Sequence, residues 1–176
     1  MRIFPHLSLV FATLVLGTPF IGVALEAAPA AAEEIVARPI LTISGKISAT
    51  TNGKPERSFD RAALEAVGLE TVETVTPWYT GKMKFEGVAM AKLLGTVGAQ
   101  GTSVTVTALD DYVSTIPIED FTKYHVILAM KRNGADMAIS DKGPLFVIYP
   151  YDSKPELQNQ TYYSRSAWQV KRIEVR

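Results

Sequence analysis

The chain has 176 residues, with 18 basic and 18 acidic side chains, two histidines and no cysteine. A net charge of zero gives no electrostatic basis for binding nucleic acid or an anionic membrane surface. The missing thiols exclude disulfides, iron–sulfur clusters and Cys-ligated metals, so a hydrophobic core must hold the fold unaided.

Met1-Arg2 is a short cationic head, followed by an apolar run from Ile3 to Leu25 and by small residues ending in Ala30-Ala31-Ala32. This is the pattern of a secretory signal, with cleavage expected after Ala32. An uncleaved anchor is the competing reading, since about 20 apolar residues span a bilayer; the small-residue site favours cleavage. The predicted organisation is a signal peptide over 1–32, a linker over 33–38 and one domain over 39–176, in the periplasm or outside the cell. Removing the signal takes away Arg2 and Glu26 and leaves the mature part neutral.

Pro39 to Ile47 reads as a strand, and Asn52-Gly53-Lys54-Pro55 as a turn. Asp60 is placed to cap a short helix over 61–67 that Gly68 ends. Val72 to Thr76 reads as a strand leading into an irregular stretch around Pro77-Trp78-Tyr79-Thr80-Gly81. Helical spacing from Val88 to Val97 predicts a second helix stopped by Gly98. Polar–apolar alternation over 103–107 predicts a half-buried strand, and Tyr112 to Ile116 another. Val126–Met130 and Ala135–Ile139 flank Asn133-Gly134, a strong hairpin signal. Leu145–Tyr149 and Trp168–Val175 complete the set. About eight strands and two helices, mostly hairpin-linked, predict an α+β domain.

Residues able to do chemistry are few. His125 is the single histidine after residue 6, and before a buried strand it reads as an edge residue. One His and no Cys make a zinc site untenable. Asp110-Asp111 and Glu119-Asp120 read as solvated turn acids rather than as an acid–base or cation site. Gly95, Gly98 and Gly101 follow a helix instead of joining a strand to one, so they do not form a phosphate cradle. No catalytic or metal-ligating residue is assigned. Loop aromatics beside cations form the candidate ligand site: Trp78, Tyr79, Lys82, Tyr151, Tyr163 and Arg165. Arg165 and Lys82 are the expected anion contacts, Trp78 and Tyr163 the expected stacking platforms.

Ordered landmarks extend across the chain: Leu41–Ile47, Phe85-Glu86-Gly87-Val88 through Leu94, Asp110-Asp111-Tyr112, Ile127–Met130 with Asn133-Gly134, Gly143-Pro144-Leu145 with Pro150, and the Trp168 strand. In order and spacing they resemble the molybdopterin-binding domain of the sulfite oxidase and MsrP-type oxidoreductases. The resemblance implies that mixed α+β fold, with mostly antiparallel sheets. It also implies a molybdenum-ligating cysteine about a dozen residues before Gly87-Val88, where this chain reads Thr74-Val75-Thr76-Pro77. Phe85, Asp111, Phe146 and Ala167 stand where the family pattern has tryptophan, glycine, arginine and lysine. The expectation is an exported domain that binds a small anionic or aromatic ligand, or an exported protein partner, without a cofactor and without the family's usual redox activity. The alternative is a periplasmic oxidoreductase that keeps molybdopterin through an atypical metal site.

Overall fold

The structure is a computed structural model, and it describes residues 38–176. The expected signal peptide and all of the linker except Arg38 lie outside the described residues.

The first sheet contains β1 (Leu41–Gly45), β2 (Glu56–Phe59), β5 (Ser103–Ala108), β6 (Val113–Pro117) and β10 (Val170–Val175), in the order β2-β1-β10-β5-β6. Its pairings are antiparallel except β1 with β10, which run parallel. The second sheet contains β3 (Leu69–Thr76), β4 (Tyr79–Ala89), β7 (Ile127–Arg132) and β8 (Ala135–Asp136) in that order, with β9 (Phe146–Ile148) also pairing with β7. Four short α-helices connect them: α1 (Arg61–Val67), α2 (Met90–Thr96), α3 (Glu119–Lys123) and α4 (Gln160–Arg165).

Side-chain alternation explains the layering. Val104, Val106 and Ala108 of β5 point inward, as do Val170, Ile173 and Val175 of β10. A register shift between Val170 and Arg172 absorbs the extra residue in β10 and restores the inward phase. Where β7 and β9 pair, the second sheet is buried on both faces, so Ile127–Met130 and Phe146–Ile148 read as unbroken apolar runs. Leu128, Met130 and Val147 join the main core with α1, α2 and the first sheet. Ile127, Ala129, Phe146 and Ile148 face the other way, into a smaller cluster with Val72 and Phe85.

Local chemistry sets the element ends. Asp60 Oδ1 accepts from the Ala63 N–H at 2.7 Å, capping α1 as expected. Asn133 and Gly134 both take positive φ (50° and 83°), the geometry of a type I′ hairpin turn. Gly87 lies at a bulge where β4 passes so close to β7 that a β-carbon would overlap the Leu128 carbonyl.

Several expectations need correction. Pro77-Trp78 is the two-residue turn of a long hairpin, not an irregular stretch, and β4 was hidden by its exposed polar run Thr80-Gly81-Lys82. The second helix begins at Met90, because Val88 and Ala89 pair with Leu128 and Ile127 as strand. The strand expected over 135–139 stops at Asp136 and gives way to a 3₁₀ turn at Ile139–Asp141. Among the described residues the two expected helices, α1 and α2, are joined by two shorter ones; α3 and α4 span five and six residues, too few for a helical period to show.

Candidate functional site

A cleft of about 300 Å³ opens among three segments that are distant in sequence. Pro77 and Trp78 enter it from the β3–β4 turn, Ala108 from the end of β5, and Asp110 and Tyr112 from the β5–β6 connection. Gln160, Tyr163 and Ser164 come from α4, while Ser166 and Trp168 follow it. This volume is at the small end for ligand sites, which run from about 300 to 1,000 Å³.

The walls are braced by the fold. Trp78 rests on Phe146 (ring centroids 5.2 Å apart) and meets Tyr163 and Trp168 at 6.1 and 5.8 Å, each near-perpendicular at 74°. Such edge-to-face pairs fix ring orientation through the aromatic quadrupole. Trp168 makes a bridge to Phe146 just before β10 begins. Across the cleft the Tyr112 hydroxyl donates to the Ser164 carbonyl at 2.7 Å, tying the β5–β6 connection to α4. Asp110 Oδ1 accepts from the Tyr112 N–H at 3.1 Å. The adjacent Asp111 takes a left-handed φ of 65°, which aspartate tolerates where glycine would be easiest. The hydrogen bond from Lys171, and then its charge, hold the Asp111 carboxyl below the usual carboxylate range.

The six residues singled out from the sequence are divided by the structure. Trp78 and Tyr163 line the cleft. Tyr151 is fully buried behind them, 6.0 Å from Trp78 and 5.4 Å from Tyr163 by ring centroid, and its hydroxyl shares a hydrogen bond with Ser166. Tyr79 belongs to a different cluster. Its ring carries Arg132 at 4.0 Å and its hydroxyl donates to Asp141 at 3.0 Å. Burial, with that hydrogen bond second, pushes its pKa up to about 12.

Neither expected anion contact lines the cleft. Lys82 pairs with Asp152 at 3.0 Å. Arg165 donates to Asp120 at 2.8 Å, and the Tyr149 hydroxyl donates to the same carboxylate oxygen at 2.8 Å. Asp120 is 4% exposed, so the reading of Glu119-Asp120 as a solvated turn pair fails for Asp120. His125 lies in the turn between α3 and β7, two residues before the strand rather than at its edge, with Nε2 2.8 Å from Glu70. Sequence reasoning missed Trp168, Tyr112 and Asp110 as cleft residues. Trp168 reads as the start of a strand, and nothing in the chain order places the β5–β6 connection beside α4.

The residue types bear directly on whether a molybdenum pterin fits. Thr74 is fully buried, its hydroxyl donating to the Val75 carbonyl at 3.1 Å and accepting from the Asp152 N–H at 3.3 Å. Thr76 Oγ1 accepts from the Trp78 N–H. Neither hydroxyl replaces a soft thiolate donor. Among the described residues no group of three His, Asp or Glu is arranged to hold a metal. Phe146 and Ala167 are buried apolar residues, and no Lys or Arg lines the cleft to meet a phosphate. The residues present do not fit the cofactor.

Comparison with known proteins gives a family and a fold. The model of the oxidoreductase molybdopterin binding domain matches residues 32–153. No curated protein matches in sequence. Among solved structures, the sulfane dehydrogenase SoxCD from Paracoccus pantotrophus is similar, with a TM-score of 0.57 and 17% identity. The likeness covers 77% of this chain and 37% of that one, so this chain spans well under half of SoxCD's matched chain.

Proposed function

Since this chain belongs to the oxidoreductase molybdopterin-binding domain family yet carries no cysteine, we propose that it is an exported domain that binds a small ligand in the aromatic cleft and uses no molybdenum cofactor. One observation carries the reading: the cleft is built from braced rings and small polar groups, with neither a thiolate for a metal nor a cation for a phosphate. Fold and function separate here, because the chemistry of a domain lives in its site residues. Export rests on the N-terminal signal pattern alone.

The test is elemental and pterin analysis of the protein purified from the periplasm of a host that makes molybdenum cofactor, with N-terminal sequencing of the product. The expected result is folded protein beginning at Glu33, free of molybdenum and pterin. Stoichiometric molybdenum would overturn the reading in favour of an oxidoreductase with an unusual ligand set.

A second reading, an accessory domain docking on an exported protein, draws support from exposed apolar residues at and near the open β6 edge. Val113 is 54% exposed, Tyr112 45% and Leu109 43%. An unpaired edge of that kind is a template for a partner strand. Co-purification of the exported protein with a stoichiometric partner, lost in Val113→Lys, would favour it.

A further inference from the structure

Resting on the binding-domain reading, we infer that the ligand of the cleft is a small organic ammonium ion with an apolar body. Among the described residues, Asp110 is the only charged one lining the cleft. One of its oxygens holds the Tyr112 N–H, and among the described residues no cation pairs with it. Its neighbour Asp111 differs, being neutralised by Lys171 at 2.7 Å. The cleft therefore presents an uncompensated negative charge.

Four rings line the same cleft: Trp78, Tyr112, Tyr163 and Trp168. Aromatic faces are negative and attract ammonium groups, Trp most strongly. The near-perpendicular setting of Trp78 against both Tyr163 and Trp168 forms a corner of rings, the arrangement that surrounds a bulky cationic head. The chain supplies its own example, with the Lys142 ammonium 5.4 Å from the centroid of Trp168 although Lys142 does not line the cleft. An anion would instead meet a carboxylate and four aromatic side chains with no Lys, Arg or His among the lining residues to balance it. The volume, about 300 Å³, admits a head group and a few carbons.

Both tryptophans of the chain line this cleft, so intrinsic fluorescence reports on it directly. The purified protein is titrated with choline, with its neutral isostere 3,3-dimethylbutan-1-ol, and with phenylacetate. Choline is expected to give a saturable change, with the alcohol and phenylacetate binding at least about tenfold more weakly. In Asp110→Asn the side-chain oxygen that holds the Tyr112 N–H is retained and only the charge is lost. That variant should weaken choline about tenfold and leave the alcohol unchanged, which also shows that the cleft is intact. Equal affinity for choline and the alcohol, or tighter phenylacetate, overturns the charge assignment while leaving a binding domain. Saturation by none of the three overturns it too, and the molybdenum analysis then judges the parent reading separately.

Discussion

Replacing Arg165 with alanine strips the cation from a carboxylate that water barely reaches. The Asp120 side chain is 6% exposed and that of Arg165 23%, at 2.8 Å. Removing one partner of a buried pair costs about 3–5 kcal/mol, because the other charge is left uncompensated. Two features reduce that figure: the Tyr149 hydroxyl still donates to Asp120, and the space vacated by Arg165 opens toward solvent. The expected loss is therefore about 2–3 kcal/mol, or roughly 8–12 °C in Tm for a domain of this size. Urea unfolding measures it, and a cycle with Asp120→Asn apportions it. The double variant should be less destabilised than the two single losses added together, by about 1–2 kcal/mol. A loss under about 0.5 kcal/mol with no coupling, the behaviour of a solvated surface pair, would refute this reasoning and return Arg165 to the pool of ligand contacts.

Three further outcomes follow from local geometry. Gly87→Ala puts a β-carbon against the Leu128 carbonyl and should cost about 3 kcal/mol or leave the protein insoluble, read by thermal unfolding and soluble yield. Asp60→Ala removes the cap of α1 and should cost about 1 kcal/mol in urea, whereas Asp60→Asn should be near neutral. Burial holds the hydroxyls of Tyr149 and Tyr151 well above the usual tyrosine range. A folded-state value above the unfolded one favours the protonated phenol, so this stabilisation is complete below about pH 10 and is lost as pH rises past it. In a titration at 295 nm these two should ionise only as the circular dichroism collapses; ionisation of all seven tyrosines with the fold intact would contradict it.

What could be read from the sequence was what local chemistry determines. The Asp60 cap, the Asn133-Gly134 turn and the alternation of β5 each act within a few residues and appear where expected. Residues whose role depends on distant partners could not be read in this way. Asp120 looks like a turn acid until Arg165 and Tyr149, 45 and 29 positions away, are folded onto it. Lys82 and Arg165 look available to an anion because nothing in the sequence shows Asp152 and Asp120 beside them. The resemblance to the family carried the fold, as expected of order and spacing across a chain. It could not place the cleft, whose rings come from the β3–β4 turn, the β5–β6 connection, α4 and the approach to β10.

The parallel pairing of β1 with β10 constrains how the domain comes into being. β10 lies between β1 and β5 in the middle of its sheet, although it comes last in order among the described strands. Until residues 170–175 have left the ribosome, β1 and β5 each keep a bare flank, and the inward faces of Leu41, Ile43, Val104 and Val106 lack the strand that joins them. The two halves of the sheet, β2-β1 and β5-β6, are joined only once that strand is in place.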